Sequence, residues 1–155
     1  MKAVFQRALS AHVEVQGQTV GHIGAGALVL LGVEREDTPE KAALMASKIA
    51  NLRVFTDETG KFSDSLIATG GEALVVSNFT LCANCRHGRR PEFLQAARPE
   101  QAEPLYRLFA ERLRAEGVRR VETGRFGADM RVFLEGDGPV TILLDTQDWL
   151  NGCNL

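Results

Sequence analysis

Residues 27–33, Ala27-Leu28-Val29-Leu30-Leu31-Gly32-Val33, carry no polar side chain, so they read as a buried strand. A helix follows at once. Asp37-Thr38-Pro39-Glu40 supplies an N-cap, a first-turn proline and a capping-box glutamate, and Ala42, Met45, Ile49 and Leu52 form one apolar stripe. Ala73-Leu74-Val75-Val76 is β-rich enough for a central strand. A second helix opens at Pro99-Glu100, turns Ala102, Leu105, Phe109 and Leu113 inward and stops at Gly117. Before the buried run, Val4, Gln6, Val13, Val15, Val20 and Ile23 alternate around Gln16-Gly17-Gln18 as short antiparallel strands. Arg53-Val54-Phe55 reads as a short strand closed by the turn Asp57-Glu58-Thr59-Gly60. Further strands are expected over residues 118–123, 130–135 and 140–145, the last two joined by Gly136-Asp137-Gly138-Pro139. Two helices among about eight strands give a mixed α/β layered domain, with helices on one side of a sheet and antiparallel strands on the other. Neither a repeat nor a linker divides it.

Composition narrows the partners. At 155 residues, 45% hydrophobic and 25% charged, the chain suits one globular core. A net charge of -2 excludes a uniformly basic nucleic-acid coat, so an RNA partner has to use a local patch. The apolar run over residues 25–33 is far shorter than the roughly 20 residues of a membrane span. Met1-Lys2-Ala3-Val4 leads directly into alternating residues, so a cytoplasmic protein without a membrane partner is expected. Three cysteines, Cys82, Cys85 and Cys153, are too few for a disulfide framework.

Familiar catalytic constellations are weak. His12 and His22 read as solvated strand residues, and His87 lies in an Arg-rich loop; none has a nucleophile–base spacing. Cys82-Ala83-Asn84-Cys85 with His87 is half of a zinc site or a redox pair, but only the distant Cys153 could complete it, so no metal is expected. Gly21-His22-Ile23-Gly24-Ala25-Gly26 is followed by a strand pattern and not a helix, which removes the dinucleotide reading and leaves no cofactor.

More specific are Ser77-Asn78-Phe79-Thr80-Leu81, Gly124-Arg125-Phe126-Gly127-Ala128-Asp129-Met130 and Gly138-Pro139-Val140-Thr141. With Ala3-Val4-Phe5-Gln6-Arg7 and Gly88-Arg89-Arg90-Pro91-Glu92-Phe93, occurring in one order, they resemble the D-aminoacyl-tRNA deacylase family, whose members release D-amino acids from mischarged tRNA. The resemblance implies a single three-layer α/β/β domain over residues 1–145, with a mixed sheet, two main helices and an additional antiparallel layer. It leaves residues 146–155, with Trp149, as a tail of unknown structure. It further implies a homodimer in which a cis Gly138-Pro139 of one subunit enters the partner's pocket. The site carried over is Ser77, Phe79 and Thr80 for catalysis, with Asn78, Ala102, Met130 near the adenine, Gly138, Pro139 and Arg7 for binding; Arg7 steadies the dipeptide. The family pattern has glutamine where this chain has Asn78 and asparagine where it has Gly136.

On this reading the substrate is an activated ester at the 3' end of aminoacyl-tRNA, so positioning and oxyanion stabilisation suffice without a charged catalytic side chain. Thr80 and the backbone N–H groups of Phe79 and Thr80 are expected to serve those roles. The carbonyls of Gly138-Pro139 reject L substituents, so glycine passes with the D-amino acids. Arg86, Arg89 and Arg90 share one loop and are candidate phosphate contacts. A noncatalytic binder of tRNA ends is the alternative, motivated by Asn78 and Gly136.

Overall fold

The computed structural model describes residues 1–150. β1 (Lys2–Val15) turns into β2 (Gln18–Ile23) through Gln16 and Gly17, whose φ angles of 52° and 77° give the mirror-image turn that matches strand twist. The first half of β1 pairs with β3 (Gly26–Gly32) and its second half with β2. β3 is parallel to β6 (Glu72–Ser77), and β6 to β7 (Arg120–Thr123). The crossovers are α1 (Pro39–Asn51) and α2 (Pro99–Ala115), which pack together on one face. β4 (Phe55–Thr56) and β5 (Phe62–Asp64) form a separate hairpin, and β8 (Arg131–Asp145) returns along the free edge of β1 before α3 (Thr146–Leu150).

Alternation along the central strands makes the three expected layers. Ala27, Val29, Leu31, Ala73 and Val75 face the helices and join Met45, Ile49, Leu105, Phe109 and Leu113 in the larger core. Leu28, Leu74 and Val76 point the other way, onto Ala11, Val13 and Ile23 of the β layer. Met45, Ile49, Phe109 and Leu113 are fully buried, and truncating any of them to alanine costs about 2–5 kcal/mol. Gly26 has a structural duty: with φ of 156°, its Cβ position lies 1.9 Å from the Glu72 carbonyl oxygen, so β3 starts against β6 only without a side chain there.

Four local expectations change. The N-cap of α1 is Thr38, whose Oγ1 accepts from the Lys41 N–H; Glu40 therefore stands one position too early for a capping box. Asp37 instead turns inward and accepts from the Met1 ammonium at 2.6 Å and the Glu34 N–H at 2.7 Å. The first strand is one 14-residue element and not a set of short ones. The strand predicted over Arg53-Val54-Phe55 starts only at Phe55. Residues 130–135 and 140–145 are not a hairpin but parts of β8. Its register against β1 passes from Thr141 opposite Gln6 to Gly136 opposite Ala8, so residues 137–140 bulge out opposite Arg7.

Of the segment 146–155, the described residues form α3, with Thr146 buried, its Oγ1 accepting from the Met1 ammonium at 2.7 Å and its N–H donating to the Met1 carbonyl at 2.9 Å, and Lys48 over the Trp149 ring. Cys153 lies outside the described residues.

Candidate active site

At the end of β6 the chain passes through Asn78 into a 3-10 turn, Phe79–Cys82. The Asn78 N–H donates to the Leu31 carbonyl at 2.8 Å, which holds the turn to β3. Beside it lies a pocket of about 360 Å³ lined by Leu31, Val33, Ser77, Asn78, Phe79, Ala96, Ala97, Pro99, Ala102, Phe126 and Gly127. Its wall is mostly apolar and holds no titratable side chain. Small residues account for its width: Ala96 and Ala97 precede α2, and Ala102 is on the first turns of the helix.

Four predicted residues, Ser77, Asn78, Phe79 and Ala102, meet in this wall. Thr80 is exposed next to it and is tied to Asn78: the Asn78 Oδ1 accepts both the Thr80 N–H, at 3.2 Å, and the Thr80 hydroxyl. The Thr80 N–H, expected to serve the oxyanion, is the donor that caps the turn onto Asn78. The Phe79 N–H, at the first position of the turn, is of the kind a helix start leaves free. Phe79 itself is 58% exposed, with its ring edge-on to Phe93 at 5.1 Å.

Met130 is partly buried on the β-layer side, where the Cβ position of Gly124 would lie 2.7 Å from its Sδ. Gly138 and Pro139 are joined by a cis peptide bond and are exposed, away from their own chain's pocket. Arg7 holds the base of that bulge. Its side chain is buried, with Nε 3.2 Å from the Asp137 carbonyl oxygen and 2.9 Å from Asp137 Oδ2, while Nη1 donates to the Val54 carbonyl at 2.9 Å.

Arg86, Arg89 and Arg90 are exposed on a loop whose ends are clamped by the Asn84–Glu92 bridge, just before Phe93. Cys82 is buried, and that burial pushes its thiol up to about 11, while Cys85 is exposed. Among the described residues no three His, Cys, Asp or Glu side chains gather as a metal site. No helix among them is long and apolar enough to cross a membrane.

Sequence reasoning did not single out Ala96, Ala97 or Asp137. Alanines carry no chemical signal, and Asp137 matters only because the bulge returns it to Arg7. Phe126 stood inside a quoted motif but without a role.

Known proteins resemble the chain over nearly its whole length. The family model described as D-Tyr-tRNA(Tyr) deacylase matches residues 4–145. The D-aminoacyl-tRNA deacylase of Symbiobacterium thermophilum is 57% identical over 147 residues, 95% of this chain and 97% of that protein. The D-aminoacyl-tRNA deacylase of Brevibacillus brevis is 53% identical over 146 residues, 94% of this chain and 100% of its own. Among solved structures, the c-Myc DNA Unwinding Element Binding Protein has a TM-score of 0.89 at 46% identity, covering 94% of this chain and 98% of that one.

Proposed function

The chain belongs to the D-Tyr-tRNA(Tyr) deacylase family, and from that premise we propose how its site releases D-amino acids from tRNA. It is an enzyme, a carboxylic ester hydrolase whose substrate is D-aminoacyl-tRNA. One observation carries the mechanism: the pocket beside the β6 turn is lined without any acid, base or thiol. An aminoacyl ester is activated relative to an amide, so a site of this kind works by holding the ester and stabilising the oxyanion that forms when water attacks. The Phe79 N–H is the oxyanion donor, and Ser77 and the Thr80 hydroxyl position the ester. Thr80 is not assigned as a nucleophile, because its hydroxyl hydrogen goes to Asn78 and among the described residues no general base is bonded to it.

The terminal adenosine lies toward Phe126 and Met130, and the aminoacyl group toward Asn78 and Ala102. Gly138 and Pro139 close the pocket from a second copy of the chain, their carbonyls standing where an L side chain would project. Two features support this closure. The dipeptide is presented outward on a bulge anchored by Arg7, and exposed apolar residues, Leu143 at 78% and Phe79 at 58%, occupy the surfaces on β8 and beside the pocket. Selection by exclusion passes glycine with the D-amino acids. The compartment is that of charged tRNA, the cytoplasm.

The deciding experiment is deacylation of D-tyrosyl-tRNA, L-tyrosyl-tRNA and glycyl-tRNA by purified protein. Release of D-tyrosine and glycine with L-tyrosine retained is expected. Binding of the RNA without release of D-tyrosine would leave a noncatalytic binder of tRNA ends in its place.

A further inference from the structure

The small sheet of β4 and β5 pairs only Phe55 with Asp64 and Thr56 with Phe62, and a two-stranded hairpin of that size does not hold itself in water. It is fastened to β1 instead. Phe5 and Arg7 lie two residues apart and so share a face of that strand, and the hairpin lays one ring against each. Phe55 packs edge-on to the buried Phe5, with ring centroids 6.3 Å apart. Phe62 takes Arg7, whose guanidinium carbon lies over its ring, 5.7 Å from the centroid. The tip of the hairpin is closed by Asp57, whose Oδ1 accepts the Thr59 N–H at 2.8 Å and the Lys61 N–H at 3.2 Å. That turn sets the place of Phe62, the next residue along.

Arg7 is therefore held from the hairpin as well as from the bulge. Val54, just before β4, accepts from its Nη1 at 2.9 Å, and Asp137 accepts at its Nε. Nη2 is 3.6 Å from the Cβ position of Gly138, so a shift of the guanidinium is felt directly at the dipeptide. Phe62 is 56% exposed and buries little of its ring in the core. What the ring offers at this place is its face, which attracts a cation and keeps water from it.

We propose that Phe62 is a positioning residue for ester release: it holds the Arg7 guanidinium against the base of the bulge, and it acts on Gly138-Pro139 through Arg7 without touching the substrate. This rests on the deacylase reading and on the role that reading gives to the dipeptide.

A double-mutant cycle on D-tyrosyl-tRNA tests it, with Phe62→Leu measured alone and in an Arg7→Gln background, and with Phe62→Tyr as the conservative variant. A cation over an aromatic face at a half-exposed site is worth roughly a two- to fivefold change in kcat/KM, so Phe62→Leu alone should lose about that factor. Phe62→Tyr keeps the ring and should keep the activity. In the Arg7→Gln background, where the cation is gone, Phe62→Leu should cost nothing further, because independent contributions add and relayed ones do not. Thermal unfolding should move little, since the side chain is largely on the surface. Exchange of the Arg7 Nε hydrogen with water, followed by NMR, reads the same contact without turnover; Phe62→Leu should speed it and Phe62→Tyr should not. Equal losses in both backgrounds, a Phe62→Leu variant as active as Phe62→Tyr, or an unchanged Nε exchange in Phe62→Leu would overturn the proposal and leave the deacylase reading standing. A wild-type protein with no turnover would remove the deacylase reading, while the Nε exchange would still decide whether Phe62 holds Arg7.

Discussion

Arg7 is the residue on which the bulge depends. Its guanidinium divides its donors between the Asp137 carbonyl, the Asp137 carboxylate and the Val54 carbonyl, a fork that a lysine ammonium cannot reproduce. Arg7→Lys keeps the charge but should lose at least tenfold in kcat/KM, because bidentate geometry at such a site is specific. Thermal unfolding should change little, and a variant that keeps full activity would show that Asp137–Val140 holds its shape unaided. Lys2 and Asp145 define a pH effect of their own. Burial opposes both charges, but the hydrogen bond between them, with the Glu34 charge on Lys2 and the Gln147 N–H on Asp145, raises Lys2 and lowers Asp145. A lowered carboxyl stabilises the fold above its unfolded value of about 4 and stops doing so as pH falls through its folded value. A raised ammonium stabilises below its unfolded value of about 10.4 and stops as pH rises through its folded value. Denaturant midpoints of the wild type should therefore fall toward both extremes, and Lys2→Met should flatten both limbs. An unchanged profile would show that the pair is screened out in solution.

Elements were legible to different degrees. α2 was read almost to the residue because its proline start, its apolar stripe and its Gly117 stop are all local signals. α1 was found, but its cap was displaced by one position. Asp37 and Thr38 are equally good caps locally, and the choice is made by a Met1 ammonium 36 residues away. β8 was read as two strands because Gly136 and Pro139 look like turn residues; only its long pairing with β1 makes it one. The site divides in the same way. Ser77 to Thr80 was visible as a motif, whereas the capture of the Thr80 N–H by Asn78 is a three-dimensional fact. Gly136 has nothing within 4 Å of its Cβ position, so the asparagine of the family pattern would fit there without steric cost. The Arg86–Arg90 loop permits a test at this scale. If it contacts phosphates, replacing Arg89 and Arg90 by alanine should weaken tRNA binding and reduce the salt slope by roughly 0.7 to 0.9 per lost contact. An equal slope would assign the loop to solvent.

For the whole molecule, the proposed exchange of Gly138-Pro139 between copies predicts complementation. Gly138 has φ of 131° and a Cβ position 2.7 Å from the Val140 nitrogen, so Gly138→Val should distort the dipeptide. Ala102→Trp should fill the pocket. Each variant alone should be inactive. In a co-refolded equal mixture, half of the dimers pair one of each and offer one intact site out of two, giving roughly a quarter of wild-type activity. A mixture as inactive as its components would mean that the dipeptide works on its own chain. The empty chemistry of the pocket wall has a last consequence, for inhibition. Reagents that silence hydrolases look for an activated serine, a thiolate, an imidazole or a bound metal, and this wall presents Ser77 as its one hydroxyl, without a base beside it. On the proposed site such reagents meet no activated group in this wall, so a molecule that stops the enzyme there is expected to do so by shape, as a stable occupant of the space assigned to the D-aminoacyl end.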